Sequence, residues 1–200
     1  MGRSPRDPSL TMAGVDGLDG LEALVRRRRT SLIMDLTRPV DPTLVDRLCG
    51  LIAWAPNHKR TWPWRVAVFT GDSRAALGNA FADDQADAGE TDLVRVEKSR
   101  RKYGRSPVCV VVGADPGDST ERTGENRDAV AAGIQNLLLG ATAAGLANFW
   151  STPPGRRGPR TLALCGFPAG TELVGVVYLG WPGGDVEVPV RPALHVTFLG

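Results

Sequence analysis

The sequence predicts one α+β domain. Three observations carry that expectation: helical patterns alternate with short continuous apolar runs, no linker or internal repeat interrupts them, and residues 129–149 form one long Ala-rich segment suited to a central helix. Two hundred residues, 42% hydrophobic and 23% charged, suffice for one sizeable core and leave a second cramped. The opening MGRSPRDPSLTMAGVDG has no apolar run and reads as a disordered extension over residues 1–17, so the domain is expected over 18–200.

Each element has its own signal. Leu21, Leu24, Val25 and Arg28 recur at i, i+3, i+4 and i+7, which predicts a helix over 18–29. Asp41 followed by Pro42 is an N-cap with Pro at the first helical position. The helix it opens should bury Leu44, Leu48, Leu51, Ile52 and Ala55, then stop before Pro56. The loop APNHKRTWPW leads into the strand RVAVFT, and residues 73–104 read as two charged helices. PVCVVVGAD, 107–115, suits a strand covered on both faces. A polar loop, GDSTERTGEN, precedes a long helix from about Glu125 to Leu146. The stretch ANFWSTPPGRRG reads as a connection, PRTLALCG as a short helix and ELVGVVYLGW as a strand. The tail DVEVPVRPALHVTFLG alternates enough for a further strand or an extended arm.

Composition excludes several partners. Lys+Arg 24 against Asp+Glu 22 gives no global field to steer nucleic acid or anionic lipid. The 129–149 segment is interrupted by Gln135, Asn136, Thr142 and Asn148, and its Ala and Gly residues contribute little insertion energy, so no membrane span is expected. Cys49, Cys109 and Cys165 lie far apart without CxxC spacing and with only His58 and His195 beside them, a poor metal set. They read as reduced core thiols of a cytoplasmic protein.

The run LVRRRRTS, 24–31, divides by helical phase. At about 100° per residue, with Leu21 at zero, Leu24, Val25 and Arg28 fall within about 60° of it, whereas Arg26 and Arg27 fall at about 140° and about 240°. Arg28 thus faces the core side, where a guanidinium must find an anion or stay wet; Arg26 and Arg27 face solvent. Arg29 flanks the stripe and Thr30 and Ser31 add hydroxyls, a set suited to a phosphate monoester. Pairing of Arg28 with an internal carboxylate is the plainer reading of the same phase.

These pieces occur in an order that resembles the flavin-dependent nitroreductase family, particularly its small members: R-R-T at 28–30, APNHKRTWPWR, QNLLLGATAAGLANFW and a late GVVYLGWP. The resemblance covers roughly residues 20–200. It implies a three-layer α/β/α sandwich with a central mixed sheet and a long buried helix, built as a homodimer with FMN between the subunits. Arg28, Arg29 and Thr30 would hold the FMN phosphate and ribityl chain. Trp54 and His58 match a loop that approaches the flavin from the partner, and Trp150, Ser151 and Thr152 match another flavin-binding turn. Gly140, Ala141, Thr142, Ala143, Ala144 and Gly145 align with a segment assigned to the nicotinamide nucleotide. Trp54 stands where close relatives carry a basic residue, Ser151 where they carry Arg, and Trp62 where an amide is common, so a more aromatic, less charged pocket is expected.

Each residue also has a structural reading. His58 can order its loop, Trp64 can be core, Trp150 can anchor a helix end, and the small residues of GATAAG can let helices approach closely. Were FMN bound, NADH or NADPH would deliver hydride to it and a flat acceptor of nitroaromatic or quinone type would take it away in a ping-pong cycle, with no catalytic side chain demanded of the protein. A specialised flavin enzyme of the same fold, dehalogenase-like or flavin-cleaving, and a weakly flavin-binding interaction protein are the alternatives the departures leave open.

Overall fold

Every residue of Val108–Ala114 is buried, and successive side chains serve opposite faces. Val108, Val110 and Val112 join one apolar cluster, Cys109 and Val111 a second, as the two-residue period of a strand requires. Two packed faces imply three layers. The computed structural model, which describes residues 17–200, shows them.

In chain order the elements are α1 (Gly17–Arg27), β1 (Met34–Asp35), α2 (Pro42–Gly50), β2 (Trp64–Thr70), α3 (Ser73–Asp87), α4 (Leu93–Arg101), β3 (Val108–Ala114), α5 (Thr120–Ala143), β4 (Ala147–Ser151), α6 (Pro159–Cys165) and β5 (Glu172–Pro182). All strand pairings are antiparallel: β2 with β3, β3 with β5, and β5 with β4 and β1. A single parallel bridge joins Thr30 to Asn148. α2 and α5 cover one face through Val45, Leu48, Val130, Ile134 and Leu137, whereas α3 and α6 cover the other through Leu77, Phe81 and Leu162. The three-layer α/β/α sandwich with a long central helix is therefore present. The expected disordered extension lies outside the described residues except for Gly17, which opens α1.

Local chemistry sets the ends. Asp41 accepts the N–H of Thr43 and Pro42 follows it, opening α2 as expected. The chain then tightens into a 3-10 turn, Leu51–Trp54, and Ala55 turns extended. Gly145, at φ 81°, ends α5: its N–H reaches the Thr142 carbonyl at 3.1 Å and that of Leu146 reaches Ala141 at 2.8 Å, a Schellman arrangement.

Three expectations need correction. The loop 117–126 is instead mostly helix, because Ser119 caps α5 by accepting the Arg122 N–H at 3.1 Å. ANFWS is not a connection but β4, which gains its strand character from pairing with β5 rather than from its own pattern. The first helix ends at Arg27, not residue 29, and buries no residue outright; it lies chiefly against α5, and Leu21 and Val25 remain exposed. Of the two forms expected for the tail, the structure shows the second: beyond Pro182 it forms no strand and runs as an exposed arm.

Candidate functional site

Because α1 stops at Arg27, the residues after it are extended and their side chains alternate. Arg28 and Thr30 border a cavity of about 300 Å³ together with Glu187 and Arg191 from the C-terminal arm. Arg27, Arg29 and Ser31 border another, of about 570 Å³, against the end of α5 and the start of β4. Arg29 touches both.

The first cavity is cationic. Arg28 donates to Thr30 Oγ1 at 3.4 Å, and among the described residues neither Arg28, Arg29 nor Arg191 has a carboxylate partner. Burial, then the charges of Arg191 and Arg29, pull the Arg28 pKa below its ordinary value. Unpaired like charges held together in this way are a site for an anion, and a guanidinium fork with a neighbouring hydroxyl matches phosphate geometry. Arg28 does not lie on a core-facing helix stripe: it is half-buried and faces the C-terminal arm with Thr30, and the internal carboxylate of the plainer alternative is not seen among the described residues. Arg26 pairs with Glu22 at the surface as a solvated arginine should. Arg27 departs from expectation: although largely exposed, its guanidinium reaches the Thr142 carbonyl at 3.4 Å.

The bridge between Thr30 and Asn148 sets this segment beside β4, so Arg28–Thr30 and Trp150–Thr152 belong to one side of the molecule. The Trp150 indole lies over Gly175, where any Cβ would collide with it. The register of β3 on β5 also shifts at this point, between Val112 and Gly113, and the missing side chain makes room for the ring. Ser151 Oγ donates to the Thr152 carbonyl at 3.3 Å, and neither Arg156 nor Arg157 stands in for the arginine expected there, since both turn to Glu172, at 2.9 and 3.2 Å.

The GATAAG residues divide. A Cβ on Gly140 would meet Leu48 and Leu51, so this glycine lets α5 approach α2 and the turn after it, and Ala141 is core. Thr142, Ala143 and Gly145 line the 570 Å³ cavity; Ala144 is half-buried beside them.

Trp54 and His58 border neither arginine cavity. Trp54 is 84% exposed and Trp62 62% exposed. His58 Nδ1 lies 2.9 Å from Glu125 Oε1, with Arg122 against both, which orders the loop on the start of α5. Hydrogen bonding to His58 and the nearby charges of Arg122 and Lys59 hold the Glu125 pKa below the usual carboxylate range. Lys59, Arg60 and Trp62 all take positive φ, at 59°, 55° and 50°. Asn57 holds the turn: its Oδ1 accepts the Trp62 N–H at 2.9 Å and its Nδ2 donates to Thr61 at 3.0 Å. Trp64 packs against the core, as its plainer reading has it. Burial raises the thiol pKa values of Cys49 and Cys109 to about 11 and of Cys165 to about 12, so all three stay protonated near neutrality.

The structure gives roles that sequence pattern does not reveal to Asn148, Arg27 and the buried carboxylate of Asp84. Only Asn148 carried a signal, as an amide inside an otherwise apolar run. Among the described residues no cluster of three or more His, Cys, Asp or Glu could hold a metal, and no helix is long and apolar enough to cross a membrane.

The model of the nitroreductase family matches residues 25–181. YfhC of Bacillus subtilis (strain 168), whose name is that of an NAD(P)H nitroreductase, is 23% identical over 180 residues, covering 89% of this chain and 92% of its own. Among solved structures, a nitroreductase-like family protein from Bacillus cereus superposes with a TM-score of 0.74 at 23% identity, over 86% of this chain and 91% of that one. A nitroreductase with bound FMN from Bacteroides fragilis NCTC 9343 also gives 0.74, at 19% identity, over 90% and 98%.

Proposed function

The chain belongs to the nitroreductase family, and from that premise we propose that it is an FMN-dependent oxidoreductase that passes electrons from NAD(P)H to a flat organic acceptor of nitroaromatic or quinone type. The observation that carries this reading is the cavity of Arg28, Thr30 and Arg191, where three arginines outnumber the one carboxylate, Glu187, and none is ion-paired with it. Burial and then the charges of Arg191 and Arg29 lower the Arg28 pKa, and a phosphate dianion there would offset both, so the residues present fit the group. FMN, when bound, supplies the chemistry, taking hydride from the nicotinamide and releasing it to the acceptor in a ping-pong cycle.

The chain's own residues bind and orient. Arg28, Thr30 and Arg191 hold the phosphate end, with Arg29 between this cavity and the next; Trp150, Ser151 and Thr152, at the end of β4, border the ring. Arg191 supplies one of the two cations lost relative to close relatives, whereas Arg156 and Arg157 are committed to Glu172. No side chain need act as acid, base or nucleophile. Trp54 and His58 serve the flavin of a second copy, and we assign the protein a homodimer. Its support is the apolar surface that one chain leaves open: Leu18, Leu21 and Val25 on α1, Trp54, and an arm in which Phe198 is 92% exposed.

The visible spectrum of the purified protein tests the reading. A yellow dimer bleached by NADH or NADPH without oxygen is expected. Protein that stays colourless and takes up no FMN at high micromolar concentration would sink it.

A further inference from the structure

The 570 Å³ cavity behind the Arg28–Thr30 segment has a polar floor with two unmet hydrogen-bonding groups. Asn148, only 1% exposed, donates through Nδ2 to Thr142 Oγ1 at 3.0 Å and to the carbonyls of Leu138 and Leu146, both at 3.4 Å. Thr142 gives its single proton to the Leu138 carbonyl at 2.9 Å, so it can only accept from Asn148, and this fixes which way the amide points. Asn148 Oδ1 is left as a buried acceptor without a donor. On the wall, Arg29 commits one guanidinium nitrogen to the carbonyls of Arg26 and Arg28, while its Nε–H is buried without an acceptor. Arg27 adds a second guanidinium, and the opposing charge is a single carboxylate, Asp185, which is exposed.

A ligand that satisfies this set must present an anion and, directly beside it, a hydroxyl donor. A ribose phosphate monoester with a free neighbouring hydroxyl has both; a pyrophosphate diester lacks the hydroxyl. We propose that this cavity takes the adenosine 2′-phosphate of NADPH, with the phosphate on Arg27 and Arg29 and the adjacent 3′-hydroxyl on Asn148 Oδ1, and so makes the protein select NADPH over NADH. This rests on the reading that the protein is a flavin oxidoreductase fed by a nicotinamide nucleotide. Asn148 and Trp150–Thr152 lie on one continuous stretch of chain, about 7–13 Å apart at ~3.3 Å per residue, a span a folded dinucleotide bridges. Phosphates then occupy the two faces of one three-residue segment: that of FMN on Arg28 and Thr30, that of NADPH on Arg29 and Arg27.

Calorimetric titration of the FMN-saturated protein with adenosine 2′,5′-bisphosphate and with 5′-AMP tests it. The bisphosphate should bind at least about tenfold tighter, and Arg27→Ala and Arg29→Ala should each weaken it by about 10- to 100-fold while leaving 5′-AMP nearly unchanged. In steady state the NADPH:NADH ratio of kcat/KM should fall toward unity in Arg27→Ala, through KM for NADPH. Equal affinity for the two nucleotides, or an unchanged ratio in both variants, overturns the proposal. So does competition between the bisphosphate and FMN on the flavin-free protein, which would make this cavity the flavin's own. Protein that takes no FMN yet binds the bisphosphate through Arg27 and Arg29 would instead refute the oxidoreductase reading and leave the nucleotide site standing.

Discussion

Arg28→Ala separates a binding residue from a structural one, because the two roles move stability in opposite directions. Arg28 is half-buried, has no carboxylate partner among the described residues, and faces the like charges of Arg191 and Arg29. Removing it from the flavin-free protein therefore removes repulsion and a desolvated charge, and the thermal midpoint should stay level or rise. In the FMN-bound protein the same change removes a charge-assisted contact worth about 1.5–3 kcal/mol, or about 10- to 100-fold in Kd. Arg26→Ala is the control. Its Glu22 partner sits four residues back on an exposed helix face, a pair worth about 0.3–0.5 kcal/mol, and FMN affinity should not change. Quenching of FMN fluorescence on titration into the flavin-free protein gives both constants, and melting curves give the stabilities. Equal losses of affinity in the two variants would show that Arg28 does not face the phosphate. A flavin-free Arg28→Ala protein that melts well below the wild type would show instead that Arg28 holds the fold.

Asp84 accepts the N–H groups of Arg160 and Thr161, each at 2.9 Å, and the Thr161 hydroxyl at 2.6 Å, capping α6 from α3. Asp84→Ala leaves those buried donors unmet and should cost about 2–4 kcal/mol in urea unfolding; a loss under about 0.5 kcal/mol would refute the cap. Gly175→Ala should displace the Trp150 indole, cost about 1–3 kcal/mol and shift tryptophan emission, and unchanged emission would argue against the contact. Burial pushes the Glu172 pKa up, but hydrogen bonds and charges from Arg156 and Arg157 outweigh it and hold it below the usual range. The contribution of Glu172 to stability is thus full above its unfolded pKa of about 4.3 and fades as pH falls from there through the lower folded value. Melting points of the wild type and Glu172→Gln should accordingly converge as pH drops from 6 to 3; parallel curves would count against the cluster.

The parts of the fold legible in the sequence were those whose pattern is decided by burial alone. Val108–Ala114 and Glu172–Pro182 read as strands because both faces are covered and nothing polar interrupts them. α2 was legible from Asp41 and Pro42, whose effects are local. β4 was not, since a five-residue segment containing Asn148 and Ser151 has no strand signature until β5 lies beside it. Similarly, the start of α5 looked like a loop because TERTGEN is polar, yet Ser119 alone supplies the cap, and a polar first turn costs nothing where it faces water.

The site shows the same division between local and long-range causes. Helical phase puts Arg28 on a core-facing stripe, whereas the structure leaves it half-buried in a cavity against the C-terminal arm. The helix ends at Arg27, and from there the period falls from 3.6 to 2. Under the first period Arg27 belongs with Arg26 on the solvated face. Under the second it belongs with Arg29 and Ser31, and the run of four arginines serves three surroundings: Arg26 at the surface, Arg28 in one cavity, Arg27 in the other, with Arg29 bordering both. What forces the change of period is the bridge from Thr30 to Asn148, a contact across more than a hundred residues. Asn148 therefore acts twice, through its backbone by ending the helix in favour of an extended edge, and through its side chain by leaving one acceptor open in the cavity that edge creates.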